Sequence, residues 1–196
     1  MKKILLIGGG GHCRACIDVL EQEAHYTIAG IIDTALFEAN VSEVMGYPIL
    51  GGDDALESLR RHYTHALITI GQITTPTPRK RIFTLLKNLD FCLPTIISPL
   101  AYVARGVELG EGSIIMHHAL INSNTQIHKA CIINSKALIE HDCIIGDFCH
   151  LSTGSIINGG CHIGAESFIG SGTILKHATT LPPKQVLFGT RSFGSH

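Results

Sequence analysis

A histidine followed directly by a carboxylate, His141-Asp142, is the place where the sequence most plainly supports acid–base chemistry. Histidine is the side chain whose ordinary pKa suits removal of a proton from an amine or hydroxyl near neutral pH. A neighbouring carboxylate can fix the tautomer of the imidazole and stabilise its protonated form. Asp142 follows the histidine and Glu140 precedes it, so either could be the partner. We predict that His141 and Asp142 are catalytic, with His141 as the general base.

A run of glycines near the N-terminus predicts a phosphate-binding turn. The apolar segment Lys2–Ile7 leads into Gly8-Gly9-Gly10-Gly11-His12, and a helical pattern of apolar residues follows. Glycine lets backbone N–H groups at a helix N-terminus approach a phosphate, because no Cβ intervenes and the helix dipole favours an anion. The dinucleotide fingerprint would place another glycine where the chain has Cys13, which argues against a nicotinamide site.

Two further predicted strands end in residues suited to a nucleotide site. The apolar run 26–32 stops at Asp33, whose carboxylate could bind a ribose or base, and the run 65–70 stops at Gly71. Helices are predicted over 53–63 and 79–89. The alternation of strands and helices predicts a Rossmann-like α/β domain over residues 1–90. Its predicted substrate-binding residues are Gly10, Gly11, His12, Asp33 and Gly71.

The C-terminal half is dominated by a six-residue period. An aliphatic residue returns at every sixth position from Ile97 to Leu187, at sixteen positions without a gap. This period fits neither an α-helix nor an ordinary strand and indicates a parallel β-helix, in which each hexad is one short strand and a turn. An all-β domain over residues 91–196 is predicted, with three hexads to a coil. Glycines directly after the aliphatic position are expected to supply unusual backbone angles at corners: Gly110, Gly146, Gly164 and Gly170.

Composition argues against several classes of protein. The 196 residues, 45% of them apolar, are enough for two domains. The formal net charge of −1 and pI near 6.9 offer no basic field for nucleic acid or an anionic membrane. The apolar run Ile4–Ile7 is too short for a signal peptide, and no later run approaches a membrane span. The seven cysteines show no secreted-type disulfide pattern, so we expect a cytoplasmic protein.

A GxGGH-type loop joined to a hexapeptide β-helix resembles the bacterial acetyltransferases that modify nucleotide-linked amino sugars, such as those of bacillosamine and perosamine synthesis. It also resembles the sialic acid O-acetyltransferase group. The most specific stretch runs from Asn134 to Asp142 and continues through Phe148-Cys149-His150. The resemblance implies left-handed coils, a homotrimer with active sites between subunits, and acetyl-coenzyme A as cosubstrate. The implied acceptor is a UDP-linked 4-amino sugar of bacterial surface glycan synthesis.

Further binding roles are expected along the coils. The resemblance implies that Asn134 contacts the sugar and that His150 helps to hold acetyl-coenzyme A or the acceptor. Gly159 stacks eighteen residues after His141, so its backbone N–H is expected to donate to the thioester carbonyl. Three cations are expected to compete for the coenzyme phosphates: Lys176, Lys184 and Arg191.

Three alternatives stay open. The acceptor could be a hydroxyl of a sialic- or legionaminic-type sugar, or the chain could be a nucleotide-binding scaffold without catalysis. Hexapeptide carbonic anhydrases bind zinc through three histidines between subunits, and this chain has His117, His118, His141, His150 and His162. Positions 117 and 141 differ by twenty-four residues, which is not a multiple of eighteen, so they do not share one ladder, and no metal is expected.

Cys143 and Cys149 fall at small structural positions, and therefore direct transfer without an acyl-enzyme is expected.

Overall fold

The computed structural model describes residues 1–189, which form two compact units. The first consists of Met1–Gly71 and Thr77–Pro99, and the second of Gln72–Pro76 and the coils from Leu100 onward. No helix in the described chain is both long and apolar enough to cross a membrane.

The first unit is a Rossmann-like α/β fold, as predicted. Its sheet has the order β3-β4-β2-β1-β5, and all neighbours are parallel except the antiparallel pair β3-β4. Because β2 and β5 flank β1 on opposite sides, the chain changes direction at β1, which creates a crevice at the carboxyl ends of the strands. The elements are β1 (Lys2–Ile7), α1 (Gly11–Glu23), β2 (Tyr26–Ile32), α2 (Thr34–Glu38), β3 (Glu43–Val44), β4 (Tyr47–Gly51), a 3₁₀ turn (Asp53–Ala55), α3 (Leu56–Leu59), β5 (His65–Ile68), α4 (Thr77–Asn88) and β6 (Ile96–Ile97).

One predicted helix of this unit is shorter than expected. The segment 53–63 divides into the 3₁₀ turn and the short α3, because the Ala55 N–H bonds to the Gly52 carbonyl and the Arg61 N–H to that of Ser58. These i to i+3 bonds tighten the backbone at both ends of the segment. The core is formed by β1, whose residues 4–7 are fully buried, and by the apolar faces of α1 and α4.

The second unit is a three-sided parallel β-helix. Fifteen two-residue strands follow one another at six-residue intervals, and each ends on a residue of the predicted aliphatic series. Partners lie eighteen residues apart, as in the pair Leu120 and Leu138. Face 1 contains β7 (Tyr102–Val103), β10 (Leu120–Ile121), β13 (Leu138–Ile139), β16 (Ile156–Ile157) and β19 (Ile174–Leu175). Face 2 contains β8 (Glu108–Leu109), β11 (Gln126–Ile127), β14 (Ile144–Ile145), β17 (His162–Ile163) and β20 (Thr180–Leu181). Face 3 contains β9 (Ile114–Ile115), β12 (Ile132–Ile133), β15 (His150–Leu151), β18 (Phe168–Ile169) and β21 (Val186–Leu187).

The glycines after the aliphatic positions have a different purpose from the one predicted. A left-handed backbone, with φ between 54° and 82°, recurs at every sixth residue from Gly106 to Lys184, and this series does not include Gly110, Gly146, Gly164 or Gly170. Those glycines are needed for close approach between coils: a Cβ on Gly146 would lie 2.5 Å from the Ala165 nitrogen. The prediction of unusual angles at these four positions is therefore wrong, because the turn lies two residues further along.

The small residues at the corners satisfy backbone carbonyls of the next coil. The Oγ of Ser113, the Oγ1 of Thr125 and four cysteine thiols each donate to the carbonyl fifteen residues ahead. Both hydroxyls also accept, since Ser113 Oγ receives the Cys131 N–H and Thr125 Oγ1 the Cys143 N–H. An apolar side chain at one of these six positions would leave the carbonyl without this donor.

Candidate active site

His141 lies at the corner between face 1 and face 2. It follows β13 by two residues, so the inward Ile139 fixes the strand while the histidine side chain stands outside the core, about half exposed. Its Nδ1 lies 2.7 Å from Oδ2 of Asp142. Because an ionised carboxylate only accepts hydrogen bonds, this contact puts the proton of the neutral imidazole on Nδ1. Nε2 is then left with a lone pair that can take a proton.

Asp142, rather than Glu140, is the carboxylate that contacts the histidine. The second oxygen of Asp142, Oδ1, accepts a hydrogen bond from Nδ2 of Asn124 at 2.6 Å. Together the Asn124 and His141 hydrogen bonds hold the pKa of Asp142 below its usual value. Glu140 is occupied elsewhere, since its Oε2 accepts from Nδ2 of Asn122 at 2.9 Å.

Gly159 lies one coil beyond His141, directly beside the imidazole. A Cβ built on Gly159 would be 2.8 Å from Cε1 and 2.9 Å from Nε2 of the ring. A hydrogen bond joins the two coils at this point, since the Gly160 N–H donates to the His141 carbonyl at 2.9 Å. The structure thus brings His141, Asp142 and Gly159 together, as the eighteen-residue spacing predicted.

Asn134 and His150 also contact each other, on face 3. Asn134 Oδ1 accepts the Ser135 N–H at 2.8 Å, so its Nδ2 is the donor to His150 Nε2 at 3.1 Å. His150 Nδ1 then donates to the Gln72 carbonyl at 2.5 Å, and the Gln72 side chain donates to the Phe148 carbonyl at 2.7 Å. His150 is 7% exposed. The network therefore attaches the 72–76 segment to the coils, a function that the sequence did not suggest.

The predicted coenzyme cations are exposed where they are described. Lys176 shares the ladder of Glu140, two coils further along, and Lys184 occupies one of the left-handed turn positions. Arg191 lies outside the described residues.

The predicted substrate loop occupies the crevice of the first unit. Asp33 accepts two backbone hydrogen bonds, from the Gly9 N–H at 2.7 Å and from the Leu36 N–H at 3.0 Å. It thereby holds the glycine loop and caps α2 at the same time. A Cβ on Gly9 would collide with Leu36, whereas a Cβ on Gly10 or Gly11 would meet no atom within 4 Å. The backbone at these two positions is open to a ligand.

His12 and Gly71 border the same loop. A Cβ on Gly71 would lie 3.6 Å from the His12 Cβ, and Nε2 of His12 lies 3.5 Å from Sγ of Cys16. Next to Gly8 and Asp33 is a cavity of about 180 Å³ at the carboxyl ends of the strands, lined by Ile7, Gly8, Ile32, Asp33, Thr34, Ala35, Asp53, Ile70 and Arg81. An ion pair borders it, with Arg81 Nη2 2.7 Å from Asp53 Oδ2. The cavity offers apolar walls and a few polar groups, as a small-molecule site requires.

The cysteines of the coils are buried thiols. Burial raises the pKa of Cys143 to about 11 and that of Cys149 to about 12, so neither is a thiolate near neutral pH. Residues 1–189 of the single chain contain no group of three or more His, Cys, Asp or Glu placed to bind a metal ion.

Sequence reasoning missed three residues of these networks: Asn122, Asn124 and Gln72. The two asparagines stand eighteen residues before Glu140 and Asp142, so the ladder spacing was a signal that could have identified them. Gln72 had no such signal, because its contact with His150 spans 78 positions outside the repeat.

Comparison with known proteins gives a consistent result. Residues 3–86 match the family described as the PglD N-terminal domain. The acetyltransferase domain of PglB from Neisseria gonorrhoeae is 29% identical with a TM-score of 0.83, over 92% of this chain and 85% of that one. The same domain is known in complex with acetyl coenzyme A.

Two other solved structures are similar over most of their length. PerB from Caulobacter crescentus, in complex with CoA and GDP-perosamine, is 27% identical with a TM-score of 0.76, over 92% of this chain and 91% of that one. WeeI from Acinetobacter baumannii is 24% identical with a TM-score of 0.76, over 90% and 81%, and shows the shared fold only. No curated protein matches in sequence. Residues 3–86 thus match the PglD N-terminal domain, and over most of its length the chain is similar to left-handed β-helix acetyltransferases.

Proposed function

We propose that this protein transfers an acetyl group from acetyl-coenzyme A to the 4-amino group of a UDP-linked sugar in bacterial surface glycan synthesis, with His141 as general base. The observation that carries the proposal is the contact of His141 Nδ1 with Asp142, which leaves Nε2 as the proton acceptor beside Gly159. The ligands of the solved relatives support the substrate classes: acetyl coenzyme A in the PglB domain, and CoA with GDP-perosamine in PerB.

The proposed reaction is a direct transfer. The neutral amine attacks the thioester carbonyl, and its proton passes to Nε2 of His141, while Asp142 stabilises the imidazolium that forms. The Gly159 N–H donates to the carbonyl oxygen as negative charge develops there. The C–S bond then breaks, and the coenzyme thiolate leaves and takes up the proton. No cysteine is required, in agreement with the buried, protonated state of Cys143 and Cys149.

The nucleotide is proposed to bind in the crevice of the first unit. Gly10 and Gly11 lie at the start of α1, and their backbone is accessible. Backbone N–H groups and the helix dipole are therefore available to a diphosphate, and His12 and Gly71 are proposed to border it. The cavity next to Asp33 would receive the nucleoside. Asn134 is proposed to contact the sugar, and His150 to help hold acetyl-coenzyme A or the acceptor. Lys176 and Arg191 are proposed to bind the coenzyme phosphates. A cytoplasmic location also belongs to the proposal.

We also propose a homotrimer, formed through face 1. The outward residue of each strand on this face is apolar, and the two at its ends are the most exposed, Tyr102 at 61% and Ile174 at 62%. The outward residues of face 1 are Tyr102, Leu120, Leu138, Ile156 and Ile174, whereas those of face 2 are Glu108, Gln126, Ile144, His162 and Thr180. An apolar stripe of this length is typical of a subunit interface. His141 lies at the corner that borders face 1, so a second copy there would complete the site.

Thiol release from acetyl-coenzyme A, measured with a panel of UDP- and GDP-4-amino sugars and free sialic and legionaminic acids, tests the activity. We expect release with a UDP-4-amino sugar, and a loss of about 10²–10⁴-fold in His141→Ala. The exposed His162→Ala is the matched control and should keep the wild-type rate. Release with a GDP sugar would correct the nucleotide, and release only with nonulosonic acids would indicate O-acetylation. Full activity of His141→Ala would contradict the proposed base.

A further inference from the structure

We propose that Asn124 is a positioning residue for the His141–Asp142 pair. Its amide holds Oδ1 of Asp142, so that Oδ2 stays directed at Nδ1 of the histidine. The inference rests on the proposed function for its catalytic meaning, but the arrangement of the three side chains can be tested without turnover.

The backbone places the Asn124 side chain within reach of Asp142. Both residues occupy the left-handed turn position, each with a φ of 58°, on successive coils of the same corner. The Asp142 N–H bonds to the Ser123 carbonyl at 3.1 Å, which fixes the separation of the two turns. Across this fixed separation, Nδ2 of Asn124 reaches Oδ1 of Asp142 at 2.6 Å.

The carboxylate needs such a restraint because it is exposed. Asp142 is 55% exposed and His141 51% exposed at their side chains. An exposed ion pair gains little free energy, since water competes with it and two side chains must be ordered. A second hydrogen bond to the carboxylate removes the alternative rotamers of Asp142, and a bond to a charged acceptor is stronger than one between neutral groups.

An asparagine has two properties that suit this position. The amide is neutral at every pH, so it orients the carboxylate without cancelling the negative charge that His141 requires. Asparagine also tolerates the left-handed backbone better than most residues. Five other titratable groups of the described coils, apart from Glu140, which is held by Asn122, lie along this corner. They are Arg105 two coils before His141, the buried thiols of Cys143 and Cys161, and Lys176 and His177 two coils further along.

Two substitutions distinguish the effect of the Asn124 amide group from the effect of the left-handed turn. Asn124→Gly keeps the left-handed backbone and removes the side chain, while Asn124→Asp keeps the backbone preference and places a like charge against Asp142. His118→Gly is the matched control, because His118 occupies the same turn position at a different corner, with a φ of 57°. Circular dichroism and thermal melting verify that each variant folds.

The decisive measurement is the ring ¹⁵N spectrum of His141, recorded where the imidazole is neutral, together with titration of the Asp142 carboxyl by ¹³C NMR. In the wild type we expect mainly the Nδ1–H tautomer. In Asn124→Gly the Nε2–H tautomer should gain population and the pKa of Asp142 should rise, and in Asn124→Asp both changes should be larger. The control should change neither. In the transfer assay, kcat should fall about tenfold or more in Asn124→Gly, with both KM values nearly unchanged.

These readouts distinguish the two proposals. If no substrate turns over but the tautomer changes in Asn124→Gly, the positioning role holds and the proposed function fails. If transfer depends on His141 while Asn124→Gly leaves the tautomer, the Asp142 titration and kcat at wild-type values, the positioning role is wrong.

Discussion

The imidazole of His141 lies against the α-carbon of Gly159, with so little space between them that a Cβ at position 159 would stand 2.8 Å from Cε1. The glycine is therefore required by contact with a side chain eighteen residues earlier, and not by its own backbone angle. The two residues form one structural unit, since any side chain at 159 displaces the histidine.

Gly159→Ala is expected to reduce kcat/KM by about 10²-fold or more, because the ring must move and a displacement of about 1 Å can cost that much. The fold should be retained. Gly154→Ala is the control: its Cβ would meet no atom within 4 Å, although its φ of 66° makes alanine somewhat strained. Steady-state kinetics normalised to folded protein would measure both. An unchanged kcat/KM in Gly159→Ala would show that His141 is not confined as described.

Asp33→Ala is expected to loosen the glycine loop, which is the proposed nucleotide site. Loss of the bonds from the Gly9 and Leu36 N–H groups should lower the free energy of unfolding by about 1–2 kcal/mol, the usual cost of a lost N-cap. Calorimetry with UDP and GDP should show weaker binding, and Asp54→Ala provides a nearby acidic control. Retained nucleotide affinity would place the nucleotide elsewhere.

Leu138→Asp is expected to convert the proposed trimer into monomers, because a charge would be buried in the centre of the apolar stripe. Gln126→Asp makes a similar change on the polar face 2 and should leave the oligomer intact. Sedimentation equilibrium would measure the mass of both. A Leu138→Asp protein with the oligomeric state of the wild type would contradict an interface on face 1.

The coil thiols are expected to be unreactive in the native protein. The raised pKa values, about 11 for Cys143 and about 12 for Cys149, favour the protonated thiols, so their contribution to stability is complete below pH 9 and is lost as the pH rises toward those values. A thiol reagent at pH 8 should label Cys92, the exposed cysteine, and leave the six buried ones. Mass spectrometry after incubation with acetyl-coenzyme A should find no acetylated cysteine. An acetyl group on Cys143 or Cys149 would refute direct transfer.

The β-helix was predictable from the sequence because each aliphatic residue of the repeat marks a position that points into the core. All sixteen members of the aliphatic series end a strand, and those in the central coils, such as Ile139 and Ile157, are fully buried. The first and last members are less buried, since no coil covers the ends of the stack. The corners were harder to predict, because alanine, lysine and phenylalanine also adopt the left-handed angle there, at 130, 136 and 148.

The position of His141 was predictable because it follows an inward aliphatic residue, whereas the carboxylate that it contacts was not predictable. Asp142 and Glu140 stand equally near to His141 in sequence, and the difference between them depends on which asparagine each one meets on the preceding coil. The contact of His150 could not be predicted from the repeat at all. Its partner Gln72 comes from a segment outside the repeat, so no periodicity could connect the two residues.

The ladders of the β-helix also constrain how such a chain can change in length. A thiol or hydroxyl bonds fifteen residues ahead and a strand pairs eighteen residues ahead, so deleting a single residue would put every donor and acceptor on opposite sides of the deletion out of register. Removal or duplication of eighteen residues would preserve all of these relationships. Length variation among related proteins should therefore occur in whole coils, and each added coil offers a new corner on which a different substrate contact could evolve.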